Sequence, residues 1–196
     1  NLYAPFNFAV LKNSIDLEKE IKDIQINTPV YFNQTINPLL LDSITNNSIE
    51  YLFQNLVKTS SEDSIINSVK LIAQAIYNKG FADSNYDYEK EQKISLVSDN
   101  IIINNLFFSD LLMPSDLSTY INNSVIENGF NVYENRIKSI LFEIIQPNIS
   151  FNKSISENAY NESMSKISNF RGMIDKQTLI ISKGEVVVNE KLIILK

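Results

Sequence analysis

The sequence contains no cysteine, no histidine and no tryptophan. Without cysteine the chain has no disulfides, no thiolate metal ligands and no thiol nucleophile. Without histidine it lacks the usual general base near neutral pH, and a Ser-His-Asp catalytic arrangement is excluded. Catalysis would have to use carboxylate pairs, lysine or tyrosine, so an independent hydrolase built on two carboxylates stays as the third and weakest function class.

Positive charge is also scarce. Seventeen Lys and Arg residues face 23 Asp and Glu, for a net charge of −6, and Arg136 and Arg171 are the two arginines. No basic stripe is available to displace counterions from phosphates, which excludes nucleic acid and disfavours an anionic membrane surface as partners. Long apolar runs are missing too, because no segment approaches the roughly 18 to 20 residues that a membrane-spanning helix needs.

The composition is that of a globular protein, with 44% hydrophobic and 20% charged residues. A chain of 196 residues is long enough to bury a core without disulfides or a structural metal. We expect a single domain over residues 1–196. Its predicted class is α+β, mainly helical, with a small antiparallel sheet formed by the N-terminal strand and a C-terminal hairpin.

Helices are predicted from apolar periodicity and from capping signals. Asn37-Pro38 is typical of a helix start, Ser154 and Glu157 match a capping box, and Gly80 is placed to end a helix. The predicted helices are Lys12–Asp23, Leu39–Val57 with a break at Asn46–Ser48, Ser60 to Gly80, about ten residues after Ser115, Glu134–Ile145, Ser154 to about Asn169, and a last one capped by Asn189.

Strands are predicted at three places. The first is Ala4–Leu11, and the second is a hairpin over Ile94–Phe108 that turns at Asp99-Asn100. The third is a hairpin of Thr178–Ile181 and Glu185–Val188 around Ser182-Lys183-Gly184.

The segment Phe81–Lys93 is polar and rich in turn residues, which predicts an exposed loop. Within it, Asp83 to Glu89 alternates oxygen-bearing residues as a calcium loop does, but it lacks the turn glycine. We interpret these acids as solvated turn residues and predict no metal and no cofactor.

Four stretches carry a family resemblance, in order along nearly the whole chain. They are Tyr3–Lys12 with Pro29–Phe32, Ile76–Phe81, Gln146–Asn152, and Arg171–Ile174 followed by Leu179–Leu195. Together they resemble the extracytoplasmic domain of bacterial seven-transmembrane HD-hydrolase proteins, in the version found in the Bacteroidetes. One departure is Lys176-Gln177-Thr178, where many members carry Lys-Gly-Glu.

The resemblance implies a place and a role for the chain. Such a domain lies on the periplasmic side of the cytoplasmic membrane, between the first two transmembrane helices of a multi-pass protein whose cytoplasmic HD domain is similar to cyclic di-AMP phosphodiesterases. An HD domain needs His ligands, so this chain is not the catalytic part. The implied role is a ligand-binding sensor that regulates the HD domain. The alternative is a structural module for homodimerisation or for contact with an envelope protein. The expected partners are accordingly an unknown ligand or envelope protein, the parent's own transmembrane helices, or a second copy.

An inserted domain must also return both ends to one membrane face, which the predicted pairing of its terminal strands allows.

Six residues are the candidates for ligand or interface contact: Arg171, Gly172, Gly184, Glu185, Pro147 and Asn148. The alternative interpretation makes Gly184 a turn residue with positive φ, Arg171 a partner of a nearby carboxylate, and Pro147-Asn148 a helix stop with a turn. A set of aromatic residues either lines a pocket or has its Phe members in the core and Tyr86 and Tyr88 at the surface: Tyr86, Tyr88, Phe107, Phe108, Tyr120 and Tyr133.

Overall fold

The computed structural model describes residues 1–35, 38–53 and 60–195. The chain divides into two compact units, unit 1 (Asn1–Thr28 and Glu157–Lys196) and unit 2 (Pro29–Ser156). Helices and short strands occur in both, which confirms the predicted α+β class. No helix among the described residues is both long enough and apolar enough to span a bilayer.

In unit 1 the first strands of the chain pair with its last strands. Strand β1 (Leu2–Tyr3) is antiparallel to β8 (Leu179–Ile181), and β2 (Phe8–Leu11) is antiparallel to β7 (Phe170–Ile174). Of the predicted strand Ala4–Leu11 only Phe8–Leu11 is a strand. β1 precedes the predicted range, and residues 4–7 are irregular around Pro5, whose missing N–H removes a ladder donor. The predicted pairing of N-terminal with C-terminal strands is confirmed, as two separate two-stranded ladders.

The predicted C-terminal hairpin is wrong in its second arm. Residues 185–188 are irregular, and the partner of β8 is β1. The segment consists mainly of strand-forming residues, namely Val186, Val187 and Val188 after Glu185. However, β propensity reflects how a side chain fits its neighbours, and no ladder partner is found for this segment in the described part of the chain.

The helices of unit 1 follow their local signals closely. Helix α1 (Ser14–Asn27) is capped by Asn13, whose Oδ1 accepts a hydrogen bond from the Asp16 N–H at 2.7 Å. Helix α7 (Asn189–Ile194) starts one residue earlier than predicted, with Val188 at its N-cap. It packs against β2 and β8.

Unit 2 is built on a four-stranded mixed sheet in the order β5-β4-β3-β6. Strands β3 (Val30–Gln34) and β4 (Lys93–Ser98) are parallel, whereas β5 (Ile101–Phe107) and β6 (Ile149–Phe151) are antiparallel to their neighbours. The predicted β4–β5 hairpin is confirmed, and its turn residues Asp99 and Asn100 have φ of 50° and 64°. Strands β3, β6 and, in unit 1, β7 were not predicted as strands.

Four helices complete unit 2: α2 (Pro38–Phe53), α3 (Ser60–Lys79), α4 (Pro114–Glu127) and α5 (Glu134–Ile144). The expected break in α2 at Asn46–Ser48 is wrong, since the helix runs through it; the predicted cap Asn37 and end Val57 lie outside the described residues. A further helix, α6 (Lys153–Ser165), crosses from unit 2 into unit 1. Its first turn is capped by Asn152 rather than by Ser154, because Asn152 Oδ1 accepts from the Ile155 N–H at 3.0 Å.

Two apolar clusters form the core of unit 2. The first lies between α3, α4 and α5 and includes fully buried side chains of each helix: Val69, Ile72, Ile76, Ile121, Val125, Ile137 and Leu141. The second lies on the sheet around Phe32, Ile94 and Ile149. The predicted exposed loop 81–93 begins inside this core, because Phe81 and Ala82 are buried.

Candidate functional site

Asn148 is a buried clamp rather than a surface residue. Its Oδ1 accepts a hydrogen bond from the Phe81 N–H at 2.7 Å, and its Nδ2 donates to the Tyr77 carbonyl at 3.1 Å. Its backbone carbonyl accepts from the Thr35 N–H at 2.9 Å. Asn148 therefore ties the end of α3 to the end of β3, which is a longer-range role than the helix stop and turn predicted for Pro147-Asn148.

Arg171 and Gly172 lie on β7 beside an open groove of unit 1. The groove has a volume of about 210 Å³. Apart from Arg171 and Gly172 it is lined by one polar residue, Asn13, and by five apolar residues: Val10, Leu11, Met173, Ile174 and Ile194. The Asn13 side-chain oxygen is already used in capping α1. A groove of this kind offers a ligand mainly apolar contact.

Gly184 and Glu185 form a turn that holds α7. Gly184 has φ of +86°, the left-handed conformation that the alternative interpretation required. Glu185 Oε2 accepts from the Ser182 N–H at 3.0 Å, and Oε1 is bound by the Lys191 ammonium of α7. The Lys191 hydrogen bond, followed by the Ser182 N–H, lowers the pKa of Glu185 below its usual range. Both carboxylate oxygens are thus engaged within unit 1, and a ligand role for this residue stays a prediction.

The aromatic side chains do not converge on one pocket. Tyr86 packs edge-on against Phe32 with ring centroids 5.2 Å apart, so it is half-buried against the core of the sheet and its predicted surface exposure is wrong. Its hydroxyl donates to Asp83 Oδ1 at 2.7 Å, and burial followed by this bond raises the pKa of Tyr86. Phe107, expected in the core, is 49% exposed on β5. The role that these contacts support for the aromatic residues is packing.

The polar side chains of the loop 81–93 bind different partners. Asp83 accepts from Tyr86, and Asn85 Oδ1 accepts from the Ser115 N–H at 3.0 Å. Across the described ranges no three acidic side chains converge in a way that would hold a metal ion.

A polar cleft between α2 and α3 was missed at the level of sequence. It has a volume of about 180 Å³ and is lined by Thr45 and Asn46 of α2 and by Lys70 and Gln74 of α3. Lys70 and Gln74 are one helical turn apart and so share a face. The run of polar residues in the middle of α2 could have indicated this cleft, but we interpreted that run as a helix break.

Comparison with known proteins identifies the family of this chain. Residues 6–196 match the family described as 7TM-HD extracellular. No match was found among curated proteins or among solved structures. The match covers nearly all of the chain, in agreement with the four resembling stretches. This chain therefore belongs to the 7TM-HD extracellular family and is a non-catalytic, extracytoplasmic part of a multi-pass membrane protein.

Proposed function

We propose that this chain is the sensor domain through which a signal outside the cytoplasm regulates a cytoplasmic HD-type phosphodiesterase of the same polypeptide, with cyclic di-AMP as the substrate class. The observation that carries the proposal is the pairing of β1 with β8 in unit 1. A domain inserted between two membrane helices must return its two ends to one membrane surface, and paired terminal strands meet that requirement.

Further contacts of unit 1 support the same role. Asn1 Oδ1 accepts a hydrogen bond from the Lys183 N–H at 2.9 Å, which joins the first residue to the turn before α7. The ion pair between Glu185 and Lys191 then joins that turn to α7 itself. A displacement of β8 would therefore move both the N-terminal segment and the last helix, so that both membrane connections receive the signal together.

Within unit 2, the segment that follows the first chain crossing is hydrogen-bonded to the segment that precedes the second crossing. The Tyr31 N–H donates to Ser156 Oγ at 2.9 Å, and Asn152 Nδ2 donates to Asn33 Oδ1 at 2.8 Å. Tyr31 and Ser156 lie next to the points at which the chain passes between the units. A ligand that favours one arrangement of unit 2 would act on both crossings at once, and it regulates the enzyme only by binding two states with different affinity.

The test uses the full-length parent protein in liposomes. Residues 6–196 are replaced by a short Gly/Ser linker, and hydrolysis of cyclic di-AMP is compared with that of the intact protein. We expect the rate to change several-fold because the bias imposed from outside is removed. An unchanged rate at equal membrane insertion would overturn the regulatory role.

Strand β5 favours a second candidate, a module that joins two copies of the chain. It is an edge strand of its sheet, and its exposed apolar residues are all about half exposed or more: Ile101, Ile102, Ile103 and Phe107. Edge strands are normally protected by charge or proline, and residues 101–107 contain neither. Since the chain carries −6 overall, an uncharged strand is where two copies meet without repulsion, and an antiparallel pair centred on Asn104 would be its own complement.

This candidate is tested by sedimentation of the isolated chain. Wild type should form a reversible dimer at concentrations on the order of 100 µM, and Ile103→Lys should be monomeric. Ile126→Lys is the matched control, because Ile126 is 58% exposed on α4, and it should leave the dimer intact. A wild-type chain that stays monomeric would remove the candidate.

A further inference from the structure

The cleft between α2 and α3 combines a cation with hydrogen-bonding groups that find no partner in the described part of the chain. Lys70 and Gln74 are exposed at its rim, Asn46 is half-buried, and Thr45 is 4% exposed at its floor. The Thr45 hydroxyl is buried and makes no hydrogen bond to any residue that the structure describes. Buried hydroxyls nearly always have a partner, because leaving one unpaired forfeits its hydration without return.

The other three described side chains that line the cleft also lack hydrogen-bond partners among the described residues. In residues 1–35, 38–53 and 60–195 no hydrogen bond or ion pair is found for the side chains of Asn46, Lys70 or Gln74. The cleft is therefore lined by an ammonium, a hydroxyl and two amides whose donors are not used by any residue that the structure describes.

The helix that supplies Thr45 departs from its own local preference at this point. Thr45-Asn46-Asn47-Ser48 are four successive poor helix formers, yet α2 continues through them. Disagreement between a segment and its local propensity is expected at functional or strained sites.

We propose that this cleft binds a small monocarboxylate with a second polar group, such as a hydroxy or amino acid; this deepens the sensor function proposed above and rests on it. The carboxylate pairs with the Lys70 ammonium and accepts from the Thr45 hydroxyl. The amides of Asn46 and Gln74, each both donor and acceptor, bind the second polar group.

Charge and size select this class over its neighbours. One lysine balances one negative charge, whereas recognition of phosphate dianions favours several donors with arginine forks, and no arginine lines the cleft. The cleft volume of about 180 Å³ accommodates a compact acid.

The test is an NMR titration of the isotopically labelled chain with four probes. L-Lactate and L-alanine carry the proposed groups, lactamide is the uncharged analogue of lactate, and inorganic phosphate is the competing anion. We expect saturable shifts of the Thr45, Asn46, Lys70 and Gln74 amides with lactate or alanine at Kd on the order of 1 mM or below. Lactamide should give none. Tighter binding of phosphate, or shifts outside this cleft, would overturn the carboxylate site, as would no response to either acid.

Variants separate a ligand role from a structural one. Thr45→Val removes the unpaired hydroxyl, so it should raise the melting temperature of the free chain by about 2–4 °C while weakening acid binding at least tenfold. Thr45→Ser keeps the hydroxyl and should retain binding. A Thr45→Val variant that loses both stability and binding would mean that the hydroxyl supports the fold. Lys70→Gln should abolish binding, and Lys19→Gln, which removes an exposed lysine from α1, should not.

The two proposals fail separately. If acids bind in the cleft but leave hydrolysis by the reconstituted parent unchanged, the site stands and the sensor function fails. If no acid binds but replacement of residues 6–196 alters hydrolysis, the regulatory function stands and this site is wrong.

Discussion

The side-chain oxygen of Asn148 accepts the N–H of Phe81 at 2.7 Å, and both residues are buried. The same amide donates to the Tyr77 carbonyl, so one side chain satisfies two backbone groups at the end of α3. The buried Phe81 N–H would lose its partner if the amide were removed, whereas the Tyr77 carbonyl would keep the hydrogen bond that it accepts from the Gly80 N–H at 3.2 Å.

Asn148→Ala should therefore destabilise the chain by about 2 kcal/mol, since one orphaned buried backbone group costs roughly 1–3 kcal/mol. Urea unfolding followed by circular dichroism measures the difference. Asn123→Ala, at an exposed position of α4, is the control and should change stability by less than about 0.5 kcal/mol. A loss for Asn148→Ala no larger than that of the control would show that the clamp is dispensable.

Gln177→Gly should stabilise the chain. Gln177 has φ of +70°, a left-handed conformation that costs an L residue about 1–2 kcal/mol, partly offset by the greater freedom of glycine when unfolded. Its N–H donates to the Ala4 carbonyl at 2.8 Å, and glycine keeps this backbone bond. We expect a net gain of about 0.5–1 kcal/mol by thermal unfolding. Gln177→Ala keeps the strain, so an equal gain in that variant would contradict the explanation.

Gly80→Ala should be more destabilising than Gly129→Ala. Both glycines have positive φ, at +85° and +73°. A Cβ on Gly80 would lie 3.3 Å from Leu111 Cδ2, whereas one on Gly129 would meet nothing within 4 Å. Both changes incur the conformational cost, but only Gly80→Ala adds overpacking, of about 1 kcal/mol or more. Parallel urea titrations of the two variants test this, and equal losses would rule out the packing contribution.

The ion pair between Glu185 and Lys191 should weaken in acid. Because the Lys191 hydrogen bond lowers the folded-state pKa of Glu185, the stability it contributes is present above the unfolded pKa. That stability is lost as pH falls through the lower, folded pKa. Carboxyl NMR titration should show the lowered pKa, and Lys191→Gln should raise it. Lys183→Gln removes a charge from the same turn, so an equal rise in this variant would point to general electrostatics instead of the hydrogen bond.

Local signals in the sequence were enough for most helices and for one hairpin. The apolar spacing of Ile65, Val69, Ile72 and Ile76 predicts α3, and Asp99-Asn100 predicts the β4–β5 turn, because these patterns involve neighbouring residues. Strands β3 and β6 pair with segments far away in sequence, Val30 with Ile94 and Phe32 with Phe151, and nothing local reports such partners.

The same reason explains which site residues were missed. Thr45 and Lys70 are on different helices, and their meeting depends on how α2 packs against α3. Asn148 was selected by sequence as part of a turn, but its clamp depends on the end of α3, where its partner Tyr77 is 71 residues away in sequence. The family resemblance identified the family of the chain, but it predicted neither the cleft between α2 and α3 nor the Asn148 clamp.

The ladders of unit 1 also fix an order of events during export. Strands β1 and β2 lie within the first eleven residues, whereas their partners begin at Phe170 and Leu179. The strands of unit 2 find their partners among residues 29–156. A chain that is synthesised from its N-terminus can therefore assemble unit 2 while β1 and β2 still await their partners. Contacts of such separation form slowly, so we expect unit 1 to close last, after most of the chain has crossed the membrane.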